Sequence, residues 1–210
     1  MKYLNTKCYR CIVFCLIFCL LFVTITGCGV EVRKVKIDPT VLPVTAQADK
    51  VPMSAALIID PQLKDYGIMA PLYGGTAKYE IGKYLARYTE DVSRNLFNQV
   101  TMYDSLETAT NKADVILIPK AVRSSTFITT PIKVFVCMEW SVKDRTGRQM
   151  LWLTSIESEA SEKPGAFSYS KQQHAVYQRV LDELCFKTLK AFRESPEISR
   201  LSPDRTIIGQ

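Results

Sequence analysis

The stretch Lys133-Val-Phe-Val-Cys-Met-Glu-Trp-Ser-Val-Lys143, which runs directly into Asp144-Arg-Thr-Gly147, decides the fold. Its side chains alternate between two faces, and alternation with a period of two predicts a β-strand. Asp144 and Gly147 suit a tight turn, because aspartate bonds to nearby backbone and glycine accepts a positive φ. We therefore expect a β-hairpin whose return strand covers about 149–159. One face carries Val134, Val136, Met138, Trp140 and Val142, and the other carries Phe135, Cys137, Glu139 and Ser141.

The segments on either side of this hairpin predict further strands and two long helices. Short apolar runs at 53–60 and 113–122 are typical of buried strands. Apolar residues recur at spacings of three and four over 79–99 and again over 170–192, which predicts amphipathic helices. Ser170-Lys-Gln-Gln173 matches a capping box at the start of the second helix. The expected fold class is α/β, an α+β two-layer sandwich in which a mixed sheet of four or five strands carries two long helices on one face.

The first residues of the chain have the layout of a secretory signal. Lys2, Lys7 and Arg10 precede an uncharged apolar run from Cys11 to Val23. The segment up to Gly27 has the minimum length that crosses a hydrocarbon core of about 30 Å. The alternative interpretations are therefore an ordinary cleaved signal peptide and a retained membrane helix.

A four-residue motif follows the apolar run. Ile25-Thr-Gly-Cys28 resembles the lipobox of bacterial lipoproteins, with a branched aliphatic residue, a small residue and glycine ahead of the cysteine. The resemblance implies that the Cys28 thiol receives a diacylglycerol, that the signal is cut before it, and that the new amine is acylated. Several acyl chains anchor a protein stably in a membrane. In that family an aspartate after the cysteine tends to retain the protein in the inner membrane, so Gly29 favours the outer membrane, facing the periplasm.

The motif and the composition divide the chain into four parts. We expect a lipoprotein signal peptide over 1–27, a flexible tether over 28–50, a single α/β domain over 51–195 and a mobile tail over 196–210. Loss of the signal lowers the formal net charge from +6 to about +3. The remaining basic residues are interspersed with acids, so the sequence predicts no nucleic-acid partner.

The hairpin carries a second resemblance. Asp144-Arg-Thr-Gly147, followed by Trp152, is similar to a hairpin of small α/β envelope lipoproteins, which include assembly factors of the curli-secretion and lipopolysaccharide-transport kind. The N-terminal domain of the periplasmic protein TolB is similar too. The resemblance covers about 51–193. It implies an envelope protein with a non-enzymatic role in assembly or interaction, although fold analogy conveys architecture better than function.

Few residues outside the signal and the lipobox could carry chemistry. Cys137 and Cys185 either pair in an oxidising compartment or remain core thiols.

One alternative function is an envelope hydrolase that uses Glu157, Glu159 or His174 in a cleft. A second alternative is a periplasmic carrier of lipid or another small ligand. With one histidine and no thiol cluster, the sequence predicts neither a metal site nor a cofactor.

Aromatic side chains in predicted loops, and on the second face of the hairpin, are candidates for partner binding. Loops with aromatic residues often carry recognition, although they can also fold back over the core. A sheet with one solvent-exposed face has large apolar side chains mainly on its buried face, yet both faces of 133–143 carry them. We therefore expect an envelope partner or a second copy of the chain to cover the second face. The candidate residues are Tyr66, Tyr73, Phe127, Phe135, Phe167 and Tyr169.

Overall fold

The computed structural model describes residues 30–35, 37–38, 49–72, 75–128, 131–163 and 169–201. Its strands are β1 (Val30–Lys34), β2 (Val51–Ile58), β3 (Gly67–Leu72), β4 (Gly75–Glu80), β5 (Phe97–Tyr103), β6 (Val115–Ile128), β7 (Ile132–Asp144) and β8 (Met150–Glu162). Its helices are α1 (Pro61–Lys64), α2 (Gly82–Leu96), α3 (Leu106–Ala109), α4 (Tyr169–Glu194) and α5 (Pro196–Arg200). The expected signal peptide and Cys28 lie outside the described residues.

A mixed sheet in the order β5-β2-β6-β7-β8 forms the centre of the fold. β2 runs parallel to both β5 and β6, whereas β6, β7 and β8 are antiparallel. The long helices α2 and α4 pack on the same face of this sheet, which we call the inner face. The α/β fold class is therefore confirmed. A second sheet, in the order β1-β4-β3, was not predicted; its buried side chains join the same core.

The predicted hairpin is β7 and β8, and its turn is held by Asp144. The carboxylate oxygen Oδ1 of Asp144 accepts hydrogen bonds from the backbone N–H groups of Arg148 and Gln149, each at 3.0 Å. Gly147 has a φ of +72°, a conformation that glycine adopts without steric cost. The predicted inner-face residues Val134, Val136, Met138, Trp140 and Val142 are all fully buried.

Aromatic packing joins α4 to the inner face of the sheet. The Phe192 ring lies 5.3 Å from the Trp140 ring and 4.5 Å from the Trp152 ring, both edge-on. Edge-on pairs of this kind contribute about 0.5–1.5 kcal/mol beyond the burial of their area. α4 begins at Tyr169, so Ser170 lies inside the helix and is not the residue before it. No helix among the described residues combines the length and the apolarity needed to cross a membrane.

The expectation of a flexible tether over 28–50 is wrong for 30–35 and 37–38. β1 pairs in parallel with β4, from Val30 opposite Thr76 to Lys34 opposite Glu80. Val35 and Ile37 are buried in the core. The backbone N–H of Asp38 donates to Oε1 of Gln178 at 2.7 Å, which fastens the segment to α4. This part of the chain belongs to the folded domain.

Two other segments have more structure than the sequence indicates. The predicted loop over 61–78 contains α1, β3 and the start of β4, because antiparallel pairing of β3 with β4 satisfies the backbone without a long apolar run. The tail expected to be mobile from 196 forms α5 over 196–200. Ser195 Oγ accepts from the Ile198 N–H at 3.2 Å, and Ile198 is buried. Residues 202–210 lie outside the described part.

Candidate functional site

On the outer face of the central sheet, opposite α2 and α4, the described residues cover one half and leave the other half open. α3 covers the β2 side, where Ala56, Ile58, Ala109 and Ile116 form a small second core. The described helices that pack on β7 and β8 do so from the inner face. The open half carries a group of side chains that we call the outer patch: Arg123 and Phe127 of β6, Phe135 and Cys137 of β7, and Glu157 and Glu159 of β8.

The strand register brings three residues of the outer patch into one row. Cys137 of β7 lies opposite Arg123 of β6 on one side and Glu157 of β8 on the other. The Arg123 guanidinium and the Glu157 carboxylate meet at 2.8 Å, and so bridge across β7 over Cys137. The guanidinium also lies 5.0 Å from the centre of the Phe135 ring. The thiol below this cover is only 4% exposed, although no described helix packs on it.

The electrostatics of the outer patch keep the Cys137 thiol protonated. Burial raises the pKa of Cys137, and the negative charge of Glu157 raises it further, while Arg123 opposes both effects. A thiol is nucleophilic only as the thiolate. Cys137 is therefore less reactive at neutral pH than an exposed cysteine while its cover is in place.

Cys137 and Cys185 are both free thiols, so the alternative of a disulfide between them is wrong. Cys137 lies on the outer face, because it alternates with Val136 and Met138 of the core. Cys185 lies in the core on the inner side, where α4 packs. The sheet separates the two sulfur atoms.

The structure brings together only two of the predicted partner-binding residues. Phe127 belongs to β6 rather than to a loop, which corrects its expected position, and it is 57% exposed. Phe127 lies opposite Lys133, one position along the outer face from Phe135, which is half-buried. Both aromatic rings therefore belong to the outer patch.

The other predicted partner-binding residues lie elsewhere or outside the described residues. Tyr66 packs against the main core, and its hydroxyl is 2.7 Å from Ser124 Oγ, so this side chain fastens β6 to the loop before β3. Tyr73 and Phe167 fall outside the described residues. Tyr169 is the first residue of α4, and its side chain is not described.

The residues of the alternative hydrolase do not converge. Glu157 and Glu159 project from the outer face of β8, and Glu157 is paired with Arg123. His174 lies on α4, which packs on the inner face. Within the described ranges, no group of three or more His, Cys, Asp or Glu side chains could hold a metal ion.

Sequence reasoning missed Arg123, the cation of the outer patch. The alternation along β6 is broken by a register shift between Ala121 and Arg123, which leaves Val122 bulged and exposed. A bulge of this kind inverts the face to which every later residue points. Arg123 could have been found by pairing 123–128 with β7 as an antiparallel strand. Counting back from Phe127 opposite Lys133 places Arg123 opposite Cys137.

An open groove of about 600 Å³ lies where β2 and β5 end, beside α2. Its walls carry charges of both signs, and these pair with one another: Lys64 lies 3.8 Å from Asp104, and Arg87 lies 3.7 Å from Asp91. Burial raises the pKa of Asp91, against the opposing effect of Arg87.

No family model matches the chain, and no curated protein does. Among solved structures, a Xanthomonas campestris protein of the DUF330 family is 10% identical, with a TM-score of 0.48, over 76% of this chain and 92% of that chain. A minor lipoprotein from Acinetobacter baumannii is 12% identical, with a TM-score of 0.42, over 69% and 92%. Lipoprotein GNA1162 from Neisseria meningitidis is 11% identical, with a TM-score of 0.32, over 61% and 98%. Similarity at this level assigns no function to this chain.

Proposed function

We propose that this chain is a lipid-anchored envelope lipoprotein that acts as a non-enzymatic assembly or interaction component at the outer membrane, facing the periplasm. The observation that carries the interaction role is the outer patch, a rigid sheet surface that presents exposed apolar side chains. Phe127 is the most exposed of them, and Leu153 extends the apolar surface along β8. Exposed apolar surface on a well-ordered sheet is typical of a protein interface.

The anchor rests on the N-terminal sequence. Ile25-Thr-Gly-Cys28 follows an uncharged apolar run and resembles a lipobox. An acylated Cys28 would hold the domain at a membrane surface and raise its local concentration there. Weak contacts between domains become effective under such confinement.

The occupant that the outer patch fits best is a second copy of the chain. In the row of Cys137, the cation Arg123 lies on β6 and the carboxylate Glu157 lies on β8. A two-fold axis that runs along β7, between two stacked sheets, places β6 of one protomer over β8 of its partner. Arg123 of each protomer then faces Glu157 of its partner, which is the charge arrangement of a self-complementary interface.

The same axis places apolar groups at the centre of the interface. Phe135 of β7 lies on the axis and meets the same residue of the partner, and Phe127 flanks it. Aromatic residues in the dry centre of an interface usually supply most of its binding energy. Phe135 is therefore the anchor of the proposed contact.

Analytical ultracentrifugation of the acylated full chain in detergent tests this association. The wild type should sediment as a dimer or larger, and Phe135→Asp should sediment as a monomer, because the two-fold axis would bring the two new carboxylates face to face in the interface. Phe186→Asp is the matched control, since Phe186 is an exposed apolar residue on α4, away from the outer patch. The control should remain associated.

A wild-type protein that is monomeric at every concentration would overturn self-association. A dimer that survives Phe135→Asp would place the contact elsewhere. Circular dichroism of both variants checks that they are folded. This control separates loss of the dimer contact from loss of the fold.

A further inference from the structure

The first described strand of the chain lies close in sequence to the proposed lipid site. β1 starts at Val30, and Cys28 is two residues earlier. Two residues span at most about 7 Å even when fully extended. The expected tether of some twenty residues is thus replaced, at its beginning, by a strand that is part of the domain.

The outer face of the small sheet β1-β4-β3 is apolar beside this point. Val30 and Val32 of β1 are 54% and 55% exposed, and Met69 of β3 is 49% exposed. The register places Val32, Lys78 and Met69 in one row across the three strands. We call Val30, Val32, Met69 and Lys78 the β1 patch.

The other face of the small sheet explains why these side chains point outward. Alternate residues Ile68, Ala70, Ala77 and Tyr79 are fully buried and fill the core. Because side chains alternate along a strand, the residues between them must point away from the core. Met69 and Lys78 are therefore fixed by the packing behind β3 and β4, and Val30 and Val32 are held beside them by the pairing of β1 with β4.

We infer that the β1 patch lies on the surface of the bilayer that holds Cys28, with Val30, Val32 and Met69 at the boundary between headgroups and acyl chains. This inference rests on the proposed acylation of Cys28. An anchor within about 7 Å of Val30 brings the start of β1 to the membrane, where exposed apolar side chains gain by leaving water. Lys78, in the centre of the patch, has a long apolar stem and an amine that can reach lipid phosphates.

The alternative is that the domain stands off the membrane and the β1 patch stays in water. The exposed valines would then be scattered apolar surface of the ordinary kind. Only the orientation of the anchored protein distinguishes the two arrangements.

Fluorescence quenching of the anchored protein tests the inference. An environment-sensitive fluorophore is attached through Val32→Cys in the acylated full chain, reconstituted into vesicles of phosphatidylethanolamine and phosphatidylglycerol. Phe186→Cys on α4 is the matched control. The two domain cysteines are buried, so labelling of the wild type gives the blank.

Iodide quenching at position 32 should fall about fivefold on reconstitution, and quenching at position 186 should change less than about twofold, as expected for shallow burial at the interface. Adding Met69→Glu to Val32→Cys should restore iodide access without releasing the protein from vesicles.

Three results decide the matter. Equal quenching at 32 and 186 in protein that floats with vesicles overturns the inference but leaves the anchor in place. Protein that does not float with vesicles overturns the anchor itself. If Met69→Glu does not reduce the protection of position 32 from iodide, the apolar side chains of the β1 patch do not hold the domain on the bilayer.

Discussion

Arg123 of β6 and Glu157 of β8 form a 2.8 Å ion pair that spans the strand between them and covers Cys137. Both side chains are more than half exposed, so the pair contributes at most about 1 kcal/mol to stability. Its main effect is to shield the Cys137 thiol from solvent.

Removing this cover should make Cys137 reactive. Arg123→Ala exposes the thiol, and Glu157→Gln also removes the negative charge that raises the pKa of Cys137. We expect the rate of reaction with a disulfide reagent to rise about tenfold in Glu157→Gln and by less in Arg123→Ala, because loss of the guanidinium also removes the charge that lowers the pKa of Cys137. Both rates are measured at a concentration where monomers dominate. Glu162→Gln is the control, because it breaks the Arg179 ion pair at the end of the same strand. An unchanged rate in both test variants would show that Cys137 is shielded by something else.

The free energy of unfolding should decrease in alkali. Burial raises the pKa of Cys137 above 9.0 and the pKa of Tyr88 above 10.0. The folded state therefore keeps both protons to a higher pH than the unfolded state does. This contribution to stability is fully present below these ordinary values and is lost progressively as the pH rises from them towards the raised pKa values of the folded state. The urea midpoint should fall between pH 9 and 11, and Cys137→Ala should reduce the early part of that fall. A midpoint that stays flat across this range would contradict the burial of these two groups.

The turn of the central hairpin should not tolerate a side chain at Gly147. Its φ is +72°, and an added Cβ would lie 2.9 Å from Cδ1 of Leu106 on α3. Gly147→Ala should therefore lower the free energy of unfolding by about 1–2 kcal/mol. Arg145→Ala, in the same turn but exposed, should change it by less than about 0.5 kcal/mol. Equal effects in urea denaturation would mean that the turn does not constrain position 147.

The segment after β1 should contribute to stability as a core element does. Ile37 is buried, so Ile37→Ala should lower the free energy of unfolding by about 2–3 kcal/mol. Val32→Ala, at an exposed position of β1, should cost less than about 0.5 kcal/mol. If chemical denaturation shows both variants to be as stable as the wild type, the segment behaves as the tether that the sequence indicates.

The central hairpin could be predicted because its information is local. Period-two alternation over 133–143 and the Asp144 to Gly147 turn both point to the same structure. The amphipathic periods of α2 and α4 are local in the same way. Each of these elements can therefore be predicted from local sequence without any tertiary contact.

The small sheet and the outer patch could not be predicted because they depend on distant pairing. β1 is a five-residue strand with three charged residues, and its partner β4 lies 46 residues along the chain. Arg123 reaches the outer face only because a bulge changes the phase of β6. Periodicity within a short window contains neither the partner strand nor the bulge.

Metabolic labelling with a palmitate analogue tests the central claim, that Cys28 anchors the protein to a membrane. The wild type and Cys19→Ala, which changes a cysteine ahead of the lipobox, should both incorporate the label and fractionate with membranes. Cys28→Ala should incorporate none. Equal labelling of Cys28→Ala and the wild type would contradict the account.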